Sequence, residues 1–372
     1  MIHLVCERCG TVYEADPRRW RCDCGGPLSL DAVPPFVPAM VDRRAEGLWR
    51  YEKALPVDAA DRVSLGEGRT PLIPILFDGR TLLVKQEQLF STGSYKDRGA
   101  AVLMTYLHAR GVRHVVEDSS GNAGTAIAAY AAQAGIVCDI YVPADTSSAK
   151  TFQIEAYGAT LHRIPGSREA AAAAAREAAG TAVYASHVYN PWFLQGTKTF
   201  AYETAEQLGW RAPDTLVLPV GNGTLLLGAF IGFHELVQAG VVAHMPRIIA
   251  VQAAACDPLA AAFEAGAQEL QCLSAGHTIA EGIAIAAPVR GSEILTAVRA
   301  TQGRFVTVSE QEIAGSLREC CRRGWLIEPT SAAVIAGARR YAAGMNPGEV
   351  VVTVFTGHGL KTPGTIAEIL AT

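Results

Sequence analysis

Short apolar runs alternate with longer segments of helical spacing along most of the chain. The strand-like runs are HVVEDSS, CDIYVPA, TLVLPVG, RIIAVQA and EVVVTVFTG, and TLLVKQEQ alternates like a half-buried strand. Between them lie helical patterns such as GAAVLMTYLHAR and GSREAAAAAAREAAG, the second beginning at a Ser167 cap and ending at Gly180. Strand–helix alternation of this kind is typical of α/β layers with mainly parallel sheets. We therefore predict an α/β fold of that type.

The segment STGSYKDRGA joins a predicted strand to a predicted helix and places one lysine at the junction. Gly93 and Ser94 supply a turn and an N-cap, so Lys96 should lie in the first helical turn. The helix dipole disfavours a cation there by about a few tenths of a kcal/mol. Most lysines are solvated surface groups, so Lys96 alone is weak evidence for a catalytic residue, and other motifs are needed to support that role.

Three other predicted strands end in polar, glycine-rich turns. SSGNAG follows the first, GNGT the second and TGHG the third. Converging amides at a helix N-terminus suit an anion, a carboxylate at SSGNAG and a phosphate at GNGT. Neither SSGNAG nor GNGT has the spacing of a Walker loop or of a dinucleotide-binding loop. Together with Lys96, these turns predict an anionic cofactor and a lysine-bound carbonyl group.

These motifs resemble those of one enzyme family. SYKDRG is similar to the lysine segment of threonine synthase and its relatives among the type II pyridoxal-phosphate (PLP) enzymes, and SLGEGRTPL, SSGNAG, GNGT, IEPTSAA and TGHGLK resemble further segments in the same order. The resemblance implies two three-layer αβα domains with mainly parallel sheets and PLP in the cleft between them. We expect the larger, PLP-binding domain at 31–95 and 195–372, and the smaller domain at 96–194.

The resemblance also implies a role for each motif residue. Lys96 would hold the cofactor covalently and move the α-proton of the substrate. The other cofactor contacts would come from Asn122 at the 3′-oxygen, from Gly221, Asn222, Gly223 and Thr224 at the phosphate, and from Thr356 at the pyridine nitrogen. The substrate would be bound by Ser119, Ser120 and Ala123 at its carboxylate, and by Asn190 and Lys198. A hydroxyl at the pyridine nitrogen does not keep it protonated, which favours elimination or replacement over transamination.

One segment departs from the threonine synthase pattern. Those enzymes commonly show Asn-Pro-x-Arg-Leu-Glu-Gly-Gln-Lys-Thr, whose Arg helps to bind the substrate phosphate, whereas this chain has NPWFLQGTKT with Phe193 at the Arg position. A guanidinium binds phosphate through two parallel hydrogen bonds, and a phenyl ring cannot replace it. Lys198, Arg69, His187 or another cation takes that role, or the substrate has no phosphate.

Three functions follow from these patterns. The first is a threonine synthase-like lyase that converts O-phosphohomoserine and water into threonine and phosphate by γ-elimination and addition of water at Cβ. The alternative is β-elimination or β-replacement on another amino acid, as in a serine/threonine dehydratase or a cysteate synthase. A third hypothesis is an inactive cofactor-binding scaffold with a partner-binding head, and the intact Lys96, Asn122 and Thr356 argue against it.

Four cysteines lie close together at the N-terminus. CERCG supplies Cys6 and Cys9, and CDCGG supplies Cys22 and Cys24. Two Cys-Gly pairs at this distance suit tetrahedral thiolate ligation, so we expect a small Cys-rich ribbon at 1–30 that holds structural zinc. The second pair is Cys-x-Cys rather than Cys-x-x-Cys, and a metal-free knuckle is the other interpretation.

Composition sets the remaining limits. The chain has 372 residues, 49% of them hydrophobic and 18% charged, which is typical of a globular enzyme. The formal net charge of −4 gives no sign of a nucleic-acid partner, and we found no membrane segment or secretory signal. We expect a cytoplasmic homodimer that binds a small amino-acid substrate.

Overall fold

The computed structural model describes residues 2–31, 33, 35–270 and 276–371. The chain forms two compact units. The first consists of Met1–Arg69 and Phe90–Thr199, and the second of Thr70–Leu89 and Phe200–Thr372. Residues 31–69, which the sequence led us to place with the larger domain, thus belong to the first unit.

The helices and strands follow one another in the alternating order that the sequence predicts. The strands are β1 (His3–Cys6), β2 (Val12–Glu14), β3 (Leu28–Leu30), β4 (Leu72–Phe77), β5 (Arg80–Lys85), β6 (His114–Glu117), β7 (Val137–Pro143), β8 (Thr160–Ile164), β9 (Val183–Tyr184), β10 (Thr215–Pro219), β11 (Arg247–Ala253), β12 (Arg304–Val308) and β13 (Val351–Val354). The α-helices are α1 (Lys96–Ala109), α2 (Asn122–Ala134), α3 (Ser148–Ala156), α4 (Arg168–Ala178), α5 (Pro191–Thr197), α6 (Thr199–Gln207), α7 (Thr224–Gln238), α8 (Pro258–Glu264), α9 (Gly291–Ala300), α10 (Glu310–Arg322), α11 (Pro329–Ala342) and α12 (Pro363–Ala371).

The first unit contains two sheets. A four-stranded parallel sheet has the order β8-β7-β6-β9, and helices α2 and α4 contact its central strands. A three-stranded antiparallel sheet of order β2-β1-β3 forms the Cys-rich ribbon. Leu4 and Leu28 of the ribbon are completely buried in the same hydrophobic core as α1 and α2. The ribbon is therefore built into the core of the first unit.

The second unit is organised around a six-stranded sheet. Its order is β12-β11-β10-β13-β5-β4, and all pairs are parallel except β4 with β5. The central strand β10 is buried along its whole length, and helix α11 contacts β10, β11 and β13. Strands buried on both faces explain why these segments read as continuous apolar runs.

The predicted α/β fold with mainly parallel sheets is confirmed, and every strand-like run lies on a strand. Ser167 caps α4 as expected, its Oγ accepting from Ala170 N–H at 3.4 Å. The predicted cap of α1 is wrong, because Tyr95 rather than Ser94 occupies that position and makes no side-chain cap bond. In the part of the chain that the structure describes, no helix is long and apolar enough to cross a membrane.

Candidate active site

Lys96 is the first residue of α1, in the first helical turn as the sequence predicts. Its Nζ lies 4.6 Å from the ring centroid of Tyr95 and 5.9 Å from that of Phe193. The next residue, Asp97, is completely buried and accepts a hydrogen bond from the Thr92 N–H at 3.0 Å and another from the Thr92 hydroxyl. The turn before the lysine is therefore fixed by a buried carboxylate.

Helix α5, which contains the NPWFLQGTKT segment, packs tightly against α1. A Cβ at Gly99 would lie 2.3 Å from the Phe193 ring, and a Cβ at Gly196 would lie 1.9 Å from the Arg98 carbonyl oxygen. Two glycines thus permit the close approach of the helices. This packing brings the segment that departs from the threonine synthase pattern next to the lysine segment.

Phe193 is completely buried at the position where the family has an arginine. Its ring packs on Gly99, and its centroid lies 5.9 Å from that of the His187 ring in an edge-to-face arrangement. An apolar ring therefore occupies the space beside Lys96.

A buried histidine–glutamate pair packs against Phe193. His187 Nδ1 is 2.7 Å from Glu117 Oε1, and the two side chains are 7% and 0% exposed. Glu117 closes strand β6, and His187 follows the neighbouring strand β9. Glu117 Oε2 is buried and has no hydrogen-bond partner among the described residues.

Burial disfavours the charged form of both members of this pair. Burial, assisted by the negative charge of Asp118, raises the pKa of Glu117 well above its ordinary value. Burial, assisted by the positive charges of Lys96 and Arg168, keeps the pKa of His187 well below its ordinary value. This shift disfavours His187 as a cation in place of an arginine.

The SSGNAG turn connects β6 to α2, whose N-cap is Gly121. Ser119 is 6% exposed, and its Oγ accepts from the Gly121 N–H at 3.3 Å. A Cβ at Gly124 would lie 1.8 Å from the Ser119 carbonyl oxygen, so only glycine allows the turn to close on the helix. Asn122 and Ala123 lie in the first helical turn, and the N-terminus of a helix suits an anion.

Asn190 and Lys198 lie at the two ends of α5. Asn190 is the N-cap, and its Oδ1 accepts from the Trp192 N–H at 3.1 Å. Lys198 is the C-cap and is completely buried. Both residues position the helix that contains Phe193, and their contact with substrate stays a prediction.

In the second unit, the GNGT turn leads from β10 into α7. Gly223 is the N-cap with φ of 77°, and a Cβ there would lie 2.3 Å from Ile294 Cδ1. Gly221 passes close to the backbone of a neighbouring segment, since a Cβ there would lie 3.0 Å from Ile283 Cα. Thr224 begins the helix and is 1% exposed. Two glycines and a helix N-terminus thus form a turn whose amides and hydroxyl fit a phosphate group.

Thr356 follows β13 and is held by Ser331 of α11. Ser331 Oγ accepts from the N–H groups of Thr356 at 2.9 Å and Gly357 at 3.3 Å, and lies 3.1 Å from Thr356 Oγ1. Because both lone pairs of the Ser331 hydroxyl are used, its proton is donated to Thr356 Oγ1. The Thr356 hydroxyl proton is then available for an acceptor such as a neutral pyridine nitrogen.

The four N-terminal cysteines, here called the cysteine cluster, come together as predicted. The Sγ atoms of Cys6, Cys9, Cys22 and Cys24 all lie within 4.8 Å of one another. The Cys6–Cys24 and Cys9–Cys22 pairs are 3.5 Å apart, whereas a tetrahedral zinc site with Zn–S near 2.3 Å places its sulfurs about 3.8 Å apart. The Thr11 hydroxyl and N–H lower the pKa of Cys9 to about 6, which favours the thiolate. The cluster fits a zinc ion.

Comparison with known proteins agrees with this architecture. A family model described as pyridoxal-phosphate dependent enzyme matches residues 63–357. The threonine synthase of Methanocaldococcus jannaschii is 33% identical over 96% of this chain and 92% of that protein, and that of Methanosarcina acetivorans is 32% identical over 99% and 94%. The processed form of threonine deaminase isoform 2 from Solanum lycopersicum has a TM-score of 0.72 at 22% identity and covers 92% of this chain and 97% of that one, which shows the fold.

Two α/β units with these sheets define the fold of the type II PLP enzymes. The chain belongs to the family of pyridoxal-phosphate dependent enzymes, and PLP is its cofactor. It is a PLP-dependent lyase related to the threonine synthases.

Sequence reasoning missed two features of the site. Ser331 lies in the quoted IEPTSAA segment but was given no role, although it fixes Thr356. Glu117 was not singled out, and His187 was considered only as a cation. An acidic residue that ends an otherwise apolar strand is the signal that could have identified Glu117.

Proposed function

We propose that the chain is a threonine synthase-like lyase that uses Lys96 and PLP to eliminate a substituent from an amino acid and add water at Cβ. The observation that supports this most is the lysine at the start of α1, within a segment similar to the family's, in a chain 33% identical to a threonine synthase over nearly its whole length. O-phosphohomoserine is the first substrate to test.

In this proposal, each segment has a defined task. PLP, when bound, withdraws electrons from the substrate Cα. Lys96 holds the cofactor and moves the α-proton, the GNGT turn binds the cofactor phosphate, and Thr356 donates its hydroxyl proton to the pyridine nitrogen. The amides and hydroxyls of SSGNAG bind the substrate carboxylate, with Ser119 oriented by its own turn.

A second candidate is favoured by the surroundings of Phe193. The ring is completely buried beside Lys96, and burial lowers the pKa of His187, which packs against the ring. An uncharged distal group, such as the hydroxyl of serine or threonine, fits beside a buried apolar ring better than a phosphate does. This candidate is a β-elimination that releases a keto acid and ammonia.

One assay separates the two candidates. Purified protein loaded with PLP is supplied with O-phosphohomoserine, L-serine or L-threonine in parallel, and release of phosphate, ammonia and keto acid is measured. Phosphate release with formation of threonine supports the first candidate, and keto acid from serine or threonine supports the second. Absence of turnover with all three contradicts both. The matched control is Lys96→Ala, which should be inactive in every arm.

We also propose that the cysteine cluster binds one structural zinc ion. The four sulfurs fit tetrahedral ligation. In the sequence, Trp20 lies between the two Cys pairs, and its ring packs edge-on against Tyr184 and Tyr189, with ring centroids 5.1 and 4.9 Å away. Elemental analysis of the purified protein should therefore give about one zinc per chain. A metal-free protein with the same fold would refute the zinc site.

A further inference from the structure

The buried Glu117–His187 pair has no role in the function proposed above. Both residues are almost inaccessible, and they are 70 positions apart in the sequence. A buried carboxyl with an unpartnered oxygen destabilises the fold unless it has another use. A second His–carboxylate pair in the same unit, His114 with Asp139 at 2.8 Å, is partly exposed and stands at the opposite end of β6.

The pKa shifts indicate the protonation of the pair, since burial favours the neutral form of both Glu117 and His187. In that state the Glu117 carboxyl donates from Oε1 to Nδ1, 2.7 Å away, and the imidazole carries its own proton on Nε2. The unpartnered Oε2 is then the carbonyl oxygen of a neutral acid, which is easier to bury than a carboxylate oxygen. The groups that set this state are Asp118 next to Glu117, and Lys96 and Arg168 from the neighbouring helices.

The pair also stands close to the reacting lysine. The His187 ring packs against Phe193, whose ring centroid is 5.9 Å from Lys96 Nζ. Glu117 lies two residues before Ser119, the first residue of the SSGNAG turn that is proposed to bind the substrate carboxylate. Nε2 is the ring nitrogen left for exchange, since Nδ1 is occupied by Glu117.

We propose that His187, backed by Glu117, transfers the proton to or from the oxygen at the substrate Cβ. This inference rests on the proposed function and serves both of its candidates, because adding water at Cβ and removing a hydroxyl from Cβ are the same proton transfer in opposite directions. Lys96 would handle the proton at Cα, and His187 the proton on the oxygen.

The step balances as follows in the direction of elimination. The electron pair of the Cα–H bond becomes the new bond between Cα and Cβ as Lys96 takes the proton. The pair of the Cβ–O bond leaves with the oxygen, which receives the Nε2 proton and departs as water. The Glu117 proton moves to Nδ1, which leaves a neutral imidazole and a carboxylate facing the newly protonated Lys96. Return of the Lys96 proton to the pair restores the starting state, and water addition runs through these transfers in reverse.

The test compares Glu117→Gln and His187→Gln with the wild-type holoenzyme. Exchange of the substrate Cα proton in D2O, followed by NMR, reports on Lys96 alone. Product formation from O-phosphohomoserine, L-serine and L-threonine reports on the Cβ–O step, and β-chloro-L-alanine is a reference whose chloride needs no proton. The visible band of bound PLP checks that each variant is folded and loaded.

In both variants, we expect product formation that involves a Cβ–O bond to fall on the order of 10²-fold, the usual contribution of general acid–base catalysis. Cα exchange and chloride elimination should stay within about threefold of the wild type, and His114→Gln, the matched control, should change nothing. Equal losses in all three readouts, or no loss in any, would overturn the inference while leaving the proposed function intact. A wild type that yields no product from the three oxygen substrates would remove the proposed function, and this inference with it.

Discussion

Substitution of Gly99 by Ala tests whether Phe193 is packed against the lysine helix as the structure shows. A Cβ at Gly99 would lie 2.3, 2.4 and 2.5 Å from three atoms of the Phe193 ring, whereas ordinary contact begins at 3.4 Å. The ring would have to retreat by about 1 Å, and His187 and α1 lie around it. Overpacking of this kind destabilises a core by about 1–3 kcal/mol.

Gly315 provides a matched control for this change. It also lies inside a helix, α10, and nothing stands within 4 Å of its added Cβ. Gly315→Ala should therefore stabilise the protein by about 0.8–1 kcal/mol through helix propensity alone. The difference between the two variants isolates the clash with Phe193.

The assay is urea unfolding followed by circular dichroism, repeated in a Phe193→Ala background. We expect Gly99→Ala to lower the free energy of unfolding in the wild-type background and to raise it, like Gly315→Ala, once the ring is absent. If Gly99→Ala stabilises the wild type as much as Gly315→Ala does, the ring is not packed on this glycine, and our account of the space beside Lys96 fails.

Three further predictions concern the metal, the distal group and pH. A strong zinc chelator should shift the fluorescence of Trp20 and melt the ribbon before the rest of the first unit; unchanged melting and fluorescence after loss of metal would contradict a structural role for zinc. Phe193→Arg should lower the KM for O-phosphohomoserine by about one to two orders of magnitude if the distal group is a phosphate, since a bidentate charged contact contributes roughly 1.5–3 kcal/mol; impaired turnover would instead show an uncharged group. Burial raises the pKa of Glu117 and lowers that of His187, so between about pH 4.5 and 6.5 the proton that the folded chain keeps on Glu117 offsets the proton that the unfolded chain takes up on His187; His187→Gln removes the second of these, so stability should then rise as the pH falls from 6.5 to 4.5 in pH-dependent urea unfolding, and a pH dependence equal to that of the wild type would contradict the lowered pKa of His187.

Sequence reasoning reached the parts of the fold that are encoded locally. Apolar runs predicted the central strands, and the glycines of GNGT predicted the tight turn before α7, because backbone at φ of 77° favours glycine. The antiparallel strand β4 was not predicted, since its LIPILF segment contains a proline and reads as an irregular stretch. Its position at the edge of the sheet is where a strand tolerates proline.

The parts of the site that were missed depend on contacts between distant segments. His187 and Glu117 meet only because β9 pairs with β6, and Phe193 reaches the lysine helix only because Gly99 and Gly196 let α5 approach α1. No local pattern records such pairings. Phe193 at the expected Arg position was visible in the sequence, but its burial as an apolar ring beside Lys96 required the structure.

Borohydride reduction tests the central claim, that Lys96 holds the cofactor. Treatment of the PLP-loaded protein should fix the cofactor covalently, and peptide mass spectrometry should locate it on Lys96. Lys85 is a poor alternative because its Nζ is buried and lies 2.5 Å from both the Thr70 carbonyl and Glu203. An adduct on Lys96 that is absent from Lys96→Ala is the result we predict, and an adduct on Lys85 or Lys361 would contradict the account.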